Sequence, residues 1–399
     1  IFVSILSTII IQFYIYTYYM TNPVDIINAL PKINSPVHLS KTSKHFINGI
    51  INQIKEGANS WKGCKSEIID TIPTGIQYRY LVQQLPEVHN HIEKEIKTGK
   101  HYEFKIGERD FNVYLMFPSD TTDYDMMDKY ICKIYIWLYV CCHFAESRCS
   151  PSFYIYIYMT NLKKLFPENK NDKISMIHAN TGYTIPCPMN ENEIYIFRSE
   201  EWFKVFVHET IHSFGLDFAL LMDQSVVKML HSVIPIKSDF EITETYSELW
   251  GEIINVIFVS LKSQKCTDVL NTTKLFETIE KHLRNEQHFS IFQVVKIMDF
   301  MDMKYSDFFV PNNNFQENTN IFAYYFLKSI LLFYANDFIE WCHMNNGSIN
   351  FNSTNINSFV ELIIQKCRTD MYLTKINQMD SWFKKNNRFA RTLRLSITE

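Results

Sequence analysis

The stretch KVFVHETIHSFGLDF, residues 204 to 218, decides the reading of this chain. His208, Glu209 and His212 form the pattern H-E-x-x-H. On a helix, positions four apart lie one turn apart on the same face, so both imidazoles reach one ion. Zn2+ accepts imidazole nitrogen at about 2.0–2.1 Å, and a catalytic site leaves one position open for water. Glu209 is turned roughly 100° from His208, which sets its carboxylate beside that water as general base. Thirteen histidines in 399 residues, with Glu near one in twenty, predict on the order of 0.02 chance occurrences of the pattern. The flanks suit a helix. EIYIF at 193–197 reads as a strand, Ser199 as an N-cap, Glu200 and Glu201 as first-turn acids, and Gly215 as a left-handed end.

Two histidines and a base leave a third ligand to find. Downstream, EITETYSELWGE at 241–252 is a helical stretch. Glu241, Glu244, Glu248 and Glu252 fall within about 80° of one face. Like charges four apart repel, and no Lys or Arg interleaves, so a cation facing that stripe would resolve the repulsion. Asp217, just past the helix end, reads as a support for a ligand rather than a ligand itself.

H-E-x-x-H on one helix with E-x-x-S-[D/E] on the next resembles the gluzincin branch of the zincin metallopeptidases, the thermolysin-like class. Matched onto ETYSE, the resemblance implies that Glu244 is the third zinc ligand. It implies that Glu248 orients a ligand histidine, His208, from behind. Thr243 stands where the usual pattern has Asn, and Glu248 where it has Asp. With Glu248 as ligand, the two roles would exchange. The phrase from Tyr195 to Trp250 also looks like uncharacterised H-E-x-x-H proteins of giant DNA viruses. The resemblance covers residues 193 to 256. It implies that an edge strand near HANTGYTIP carries extended substrate, with Asn180, Thr181, Gly182 and Tyr183 lining the cleft. It also implies a Tyr or His that steadies the oxyanion, for which His231, Tyr246, Tyr324 and Tyr325 are the candidates.

Outward from the motif, periodicity predicts a helix over 36–57 and a hairpin over 101–117 turning at Gly107. A buried helix follows over 124–145, then a strand in SFYIYIYMT. Beyond residue 239 the pattern is helical, with segments at 241–262, 267–284, 289–302, 318–343, 356–367 and 372–385. The class is α+β, with a mostly α-helical C-terminal part; the resemblance implies a zincin-like small mixed sheet with an active-site helix in front of it. The expected units are a 20–120 N-terminal α/β region, a 121–262 catalytic core and a 263–399 helical subdomain. Residues 1 to 19 carry no charge and read as upstream translated sequence, a membrane anchor or a buried strand.

Charged residues make up 21% of the chain and hydrophobic ones 46%, which excludes a largely disordered protein. A net charge of −4 gives no basic surplus, so nucleic acid is not an expected partner. Nine cysteines without framework spacing predict reduced thiols serving as small hydrophobes, CCHFAESRC at 141–149 included. HNH at 89–91 reads as surface loop. The expected function is zinc-dependent hydrolysis of a polypeptide substrate in the host cytoplasm or virion, membrane-bound only if residues 1–19 are an anchor. The rival is a non-catalytic virion or scaffold protein on the same fold; a third reading is metal-dependent hydrolysis of another bond. Glu209 argues against a purely structural zinc site, which has no use for an unligated base.

Overall fold

A computed structural model describes residues 23–31, 37–118, 123–221, 224–238, 241–263, 272–386 and 391–398. The segment 1–19 lies outside them. Among the described residues, six strands form one mixed sheet: β1 (Lys65–Ile69), β2 (Ile96–Ile106), β3 (Arg109–Pro118), β4 (Ser152–Tyr158), β5 (Gly182–Thr184) and β6 (Glu191–Ile196). Their order is β1-β2-β3-β4-β6-β5. β3, β4 and β6 run parallel, while β5 is antiparallel to β6 at the edge. The sheet therefore crosses the expected boundary at residue 120.

The helices are α1 (Pro23–Ala29), α2 (Lys41–Ser60), α3 (Tyr78–Gln84), α4 (Pro86–Glu95), α5 (Tyr124–Phe144), α6 (Met176–Ala179) and α7 (Trp202–Ser213). They continue as α8 (Gln224–His231), α9 (Thr243–Ser263), α10 (Thr272–Phe300), α11 (Lys328–Phe333), α12 (Ala335–Asn345), α13 (Ile356–Lys366) and α14 (Asp370–Asn386). The architecture is α+β and mostly helical. Among the described residues no helix is long and apolar enough to cross a membrane.

Strand alternation explains the layers. Leu115, Ile155, Ile157, Ile194 and Ile196 face the main core with α5 and α7. Met116, Tyr156, Tyr158 and Tyr195 face the other side and pack on α3 and α4. Along that second face His101, Tyr114, Tyr156, Tyr195 and Tyr183 stack ring on ring across the strands, 4.3 to 5.0 Å between successive centroids. The ladder ends on β5 and fixes the edge strand in register. The expected aromatic strand is thus a core element.

Several local expectations are corrected. The helix predicted from 36 begins at Lys41, because the Ser40 hydroxyl caps it by accepting the Ser43 N–H at 3.1 Å. HNH lies on α4 rather than in a loop; His91 pairs with Glu95 at 2.8 Å. The two helices predicted over 267–302 are one, α10. The single helix predicted over 318–343 is broken at Tyr334 and begins with a π turn over Phe322–Leu327. Cys149 is no reduced core thiol: it forms a disulfide with Cys187, whose partner 38 residues away no spacing rule marks.

Candidate metal centre

α7 follows β6, but Ser199 does not cap it. The helix starts at Trp202, with Glu201 at the cap in a left-handed conformation, φ 59°. Glu200 and Glu201 are not solvated first-turn acids either. Both are buried, Glu201 2.9 Å from Lys164 and Glu200 3.5 Å from Arg394. At the other end, Gly215 takes φ 63° and closes α7, donating its N–H to the His212 carbonyl at 2.9 Å. The disulfide packs on this end. The Cys187 N–H donates to the same carbonyl at 3.1 Å, and the Ser150 hydroxyl donates to the Ser213 carbonyl at 2.8 Å.

α9 crosses α7 closely because Gly251 faces it. A Cβ there would lie 3.1 Å from the Lys204 carbonyl and 3.6 Å from the His208 Cβ. That approach brings three donors together. The His208 and His212 Nε2 atoms lie 3.1 Å apart, and Glu244 Oε2 lies 3.1 and 3.3 Å from them. The other ring nitrogens are held from behind. His208 Nδ1 is 3.1 Å from Glu248 Oε2, and His212 Nδ1 contacts Asp217 Oδ2. Asp217 is itself fixed, accepting the Ser247 hydroxyl at 3.0 Å and the Ala219 N–H at 3.1 Å. A carboxylate only accepts, so it fixes the proton on Nδ1 and turns the Nε2 lone pair inward.

The donor set fits a divalent ion. Three acceptors converge where no donor stands between them. A tetrahedral ion with ligands at about 2.0–2.1 Å has ligand–ligand edges of about 3.3 Å; the triangle here has edges of 3.1 to 3.3 Å. Charge agrees. Glu244, Glu248 and Asp217 bring three negative charges, and the buried Lys204 ammonium against Glu248 Oε1 returns one. Two negative charges remain for two neutral imidazoles to share with a cation.

Titration follows from the same contacts. Burial lowers the His208 pKa, but hydrogen bonds to Glu244 and Glu248 outweigh it and lift the value to about 9. His212 is likewise raised, the charges of Asp217 and Glu244 overriding burial. Burial alone would raise Glu244 and Glu248; the charge of His212 on the first and of Lys204 on the second, with the His208 hydrogen bonds, holds both well below the usual carboxylate range. For Glu209 burial outweighs the charges of His208 and His212, with Glu244 and Glu248 adding to it, and pushes its carboxyl up to about 7.

Of the four cleft candidates, Gly182 alone stands against the base: a Cβ there would meet Glu209 Oε1 at 3.1 Å. The Asn180 carbonyl accepts from buried Arg198 at 3.0 Å, and the Thr181 carbonyl accepts the Phe197 N–H at 2.9 Å. Tyr183 turns to the opposite face, its hydroxyl donating to the Gln77 carbonyl at 3.1 Å. Of the four oxyanion candidates, Tyr324 lies beside the centre, its ring 6.1 Å from that of His208. Tyr246 and Tyr325 spend their hydroxyls on the Ile349 and Leu393 carbonyls. His231 lines a separate polar cavity with Lys237, Ser238 and Glu317.

The acidic stripe does not share one ion. Glu241 precedes α9, and its N–H donates to Asn320 at 3.2 Å. Glu252 turns to Lys328 at 3.3 Å. The basic partners are Lys204 on α7 and Lys328 on α11, supplied from other helices. Lys204, Gly251 and Arg198 escaped the sequence reading. Lys204, one turn before His208, was the legible one: a lysine within the apolar run WFKVFV implies a buried acid.

No protein-family model matches the chain, and no solved structure matches it. Over 201 residues the chain is 24% identical to an uncharacterised protein of Acanthamoeba polyphaga mimivirus, covering 48% of this chain and 50% of that one. The chain thus spans about half the length of the curated relative it matches.

Proposed function

We propose that the chain is a zinc-dependent metallopeptidase of zincin type, with His208, His212 and Glu244 as ligands. The observation that carries the reading is the convergence of three acceptors, with two negative charges that no lysine or arginine answers, beside a buried carboxyl that binds none of them. Zinc held there would supply a Lewis acid and lower the pKa of water. Glu209, buried beside the three ligands and binding none of them, would take a proton from water and return it to the leaving amine nitrogen. Among the described residues β5 pairs only with β6, so its outer edge is open to an extended peptide, which it would hold antiparallel next to Glu209. Burial raises the Tyr324 phenol well above its ordinary range, so it stays protonated and donates to the oxyanion. Similarity to a mimivirus protein supports a viral origin.

The test is zinc content together with cleavage of a mixed peptide library. Wild type should hold one zinc per chain and cleave. Glu209→Gln should hold the same zinc and lose cleavage by at least a hundredfold. A wild-type protein that takes up no zinc from metal-replete buffer, or a Glu209→Gln variant as active as wild type, overturns the reading.

A further inference from the structure

The most unusual buried feature is an extended segment rather than the metal cluster. Thr392 to Thr398 run through the interior outside any helix or strand, with a bend at Leu395, and all seven residues are buried. They pair with no sheet strand beyond a single bridge, Leu165 to Thr392. Their main chain is read by side chains instead. Glu286 on α10 accepts the N–H groups of Ile397 at 3.1 Å and Thr398 at 2.6 Å. Glu201, at the start of α7, accepts that of Leu395 at 2.8 Å and also that of Ser396. On the carbonyl side, Lys328 donates to Leu395 at 2.9 Å, Asn255 on α9 to Thr398 at 2.7 Å and Tyr325 to Leu393 at 2.5 Å. Gln293 and Lys296 on α10 donate to Arg394 and Thr392.

The side chains are read as well. Leu393, Leu395 and Ile397 alternate into the main core, as period two requires. Between them Arg394 meets Glu200, and the Ser396 hydroxyl donates to Glu286 at 3.1 Å. This is how a peptide-binding groove recognises its ligand: main-chain bonds for affinity, pockets at alternate positions for specificity. Without the segment, Glu201, Glu286, Lys328 and Lys296 would each lose hydrogen bonds in the interior, although Glu201 keeps Lys164, Lys328 keeps Glu252 and Lys296 keeps Gln293.

The same bonds join the two helices that carry the metal ligands. Glu201 caps α7, two turns before His208. Asn255 lies on α9, two turns beyond Glu248, and Lys328 bridges the Leu395 carbonyl to Glu252 on α9. We propose that the channel is a sequence-specific site for an extended peptide, that segment 392–398 is its built-in ligand, and that docking of this segment is coupled to metal binding. The coupling rests on the metal reading above; the peptide site does not. The kind of ligand is an extended chain of pattern apolar-Arg-apolar-Ser-apolar.

The test keeps the full chain. A site-specific protease sequence replaces residues 387–390, and the folded protein is cut there. The released 391–399 peptide should stay with the body through gel filtration and exchange with added fluorescent peptide of the same sequence. A peptide carrying Asp at 393, 395 and 397 should compete at least a hundredfold less well. Stripping the peptide by competition with that fluorescent peptide followed by dilution should raise the zinc Kd at least tenfold, and re-adding it should restore the Kd. A cut peptide that elutes alone, or Asp peptide that competes equally, overturns the site. Unchanged zinc Kd after stripping overturns the coupling alone. If even the uncut protein binds no zinc, the metal reading fails while the exchange result still decides the peptide site. A second variant covers collapse on cutting: Glu286→Gln in the intact chain should speed hydrogen exchange of the Ile397 and Thr398 amides, the two that Glu286 accepts, at least tenfold, and unchanged protection there overturns the site.

Discussion

Glu248 has two partners of opposite duty, and they can be separated by mutation. Its Oε1 holds the Lys204 ammonium and its Oε2 lies 3.1 Å from His208 Nδ1. In Glu248→Gln the amide fills the same volume and loses the charge. Lys204, buried, then loses its contact ion and keeps only the weaker charges of Glu201 and Glu252, which costs up to about 3–5 kcal/mol of stability. His208 also loses the carboxylate that sets its tautomer and raises its basicity, which costs about 10- to 100-fold in metal affinity. Lys204→Met alone leaves the carboxylate short of one partner and should destabilise less, because His208 still faces it. The double variant Lys204→Met/Glu248→Gln removes both charges, and a neutral pair of similar size is often as stable as the ion pair it replaces. Stability should therefore recover to within about 1 kcal/mol of wild type, while zinc affinity stays 10- to 100-fold weak. Urea unfolding of the metal-free proteins reads the first quantity; zinc competition against a chromophoric chelator reads the second. A double variant that regains wild-type zinc affinity would refute the orienting role of Glu248. One that stays as unstable as Glu248→Gln would refute the account of Lys204 as its counter-ion.

Three further outcomes follow from the geometry. Gly182→Ala puts a Cβ 2.6 Å from the Tyr195 carbonyl and 3.1 Å from Glu209 Oε1, so stability should fall by about 1–3 kcal/mol and peptide cleavage at least tenfold with zinc retained; a fully active, fully stable variant would place Glu209 away from the edge strand. In the metal-free protein the folded pKa of His208, about 9, lies above its ordinary value of 6.5, so its contribution, on the order of 3 kcal/mol, is complete below pH 6.5 and lost as pH rises through 9. Melting temperature should drop between pH 6.5 and 9.5 without zinc and hold with it, and a flat metal-free profile would contradict the burial of this histidine among carboxylates. Cys187→Ser opens a loop closed across 38 residues, which should cost about 4 kcal/mol and speed zinc loss, because Cys187 holds the His212 carbonyl; a variant with unchanged melting and zinc off-rate would detach the disulfide from the centre.

What was legible in the chain was what depends on local spacing. H-E-x-x-H fixes two imidazoles and one carboxyl on a single helix, and helix geometry does the rest. The 101–117 hairpin was legible because Gly107 supplies a positive φ of 59° between two alternating runs. The edge strand was harder: β5 is three residues long and owes its place to the ring ladder and to Arg198, both set by contacts distant in sequence. Ser199 misled because capping is decided by where the chain can turn. Thr160 takes the Ser199 N–H at 3.0 Å, and the turn falls at Glu201. The break at Tyr334 and the continuity of α10 were set by packing, which periodicity alone does not carry.

The acidic run 241–252 shows most clearly how a one-dimensional reading fails and still points the right way. Read along the chain, four glutamates with no interleaved base demand a cation. In three dimensions the demand is met piecewise. Glu252 finds Lys328 and Glu248 finds Lys204, each ammonium arriving from a different helix. Both are buried, which is why each lysine sits in an apolar context that the composition of its own helix does not explain. Glu244 is the member left over. It faces two imidazoles whose far nitrogens are already committed to Glu248 and Asp217. Glu248 and Glu252 each meet a lysine, and Glu241 is exposed. The repulsion inferred from spacing therefore reduces to one carboxylate and two lone pairs around a point. The interior can answer that remainder only with protons, at the raised pKa of His208, or with an ion.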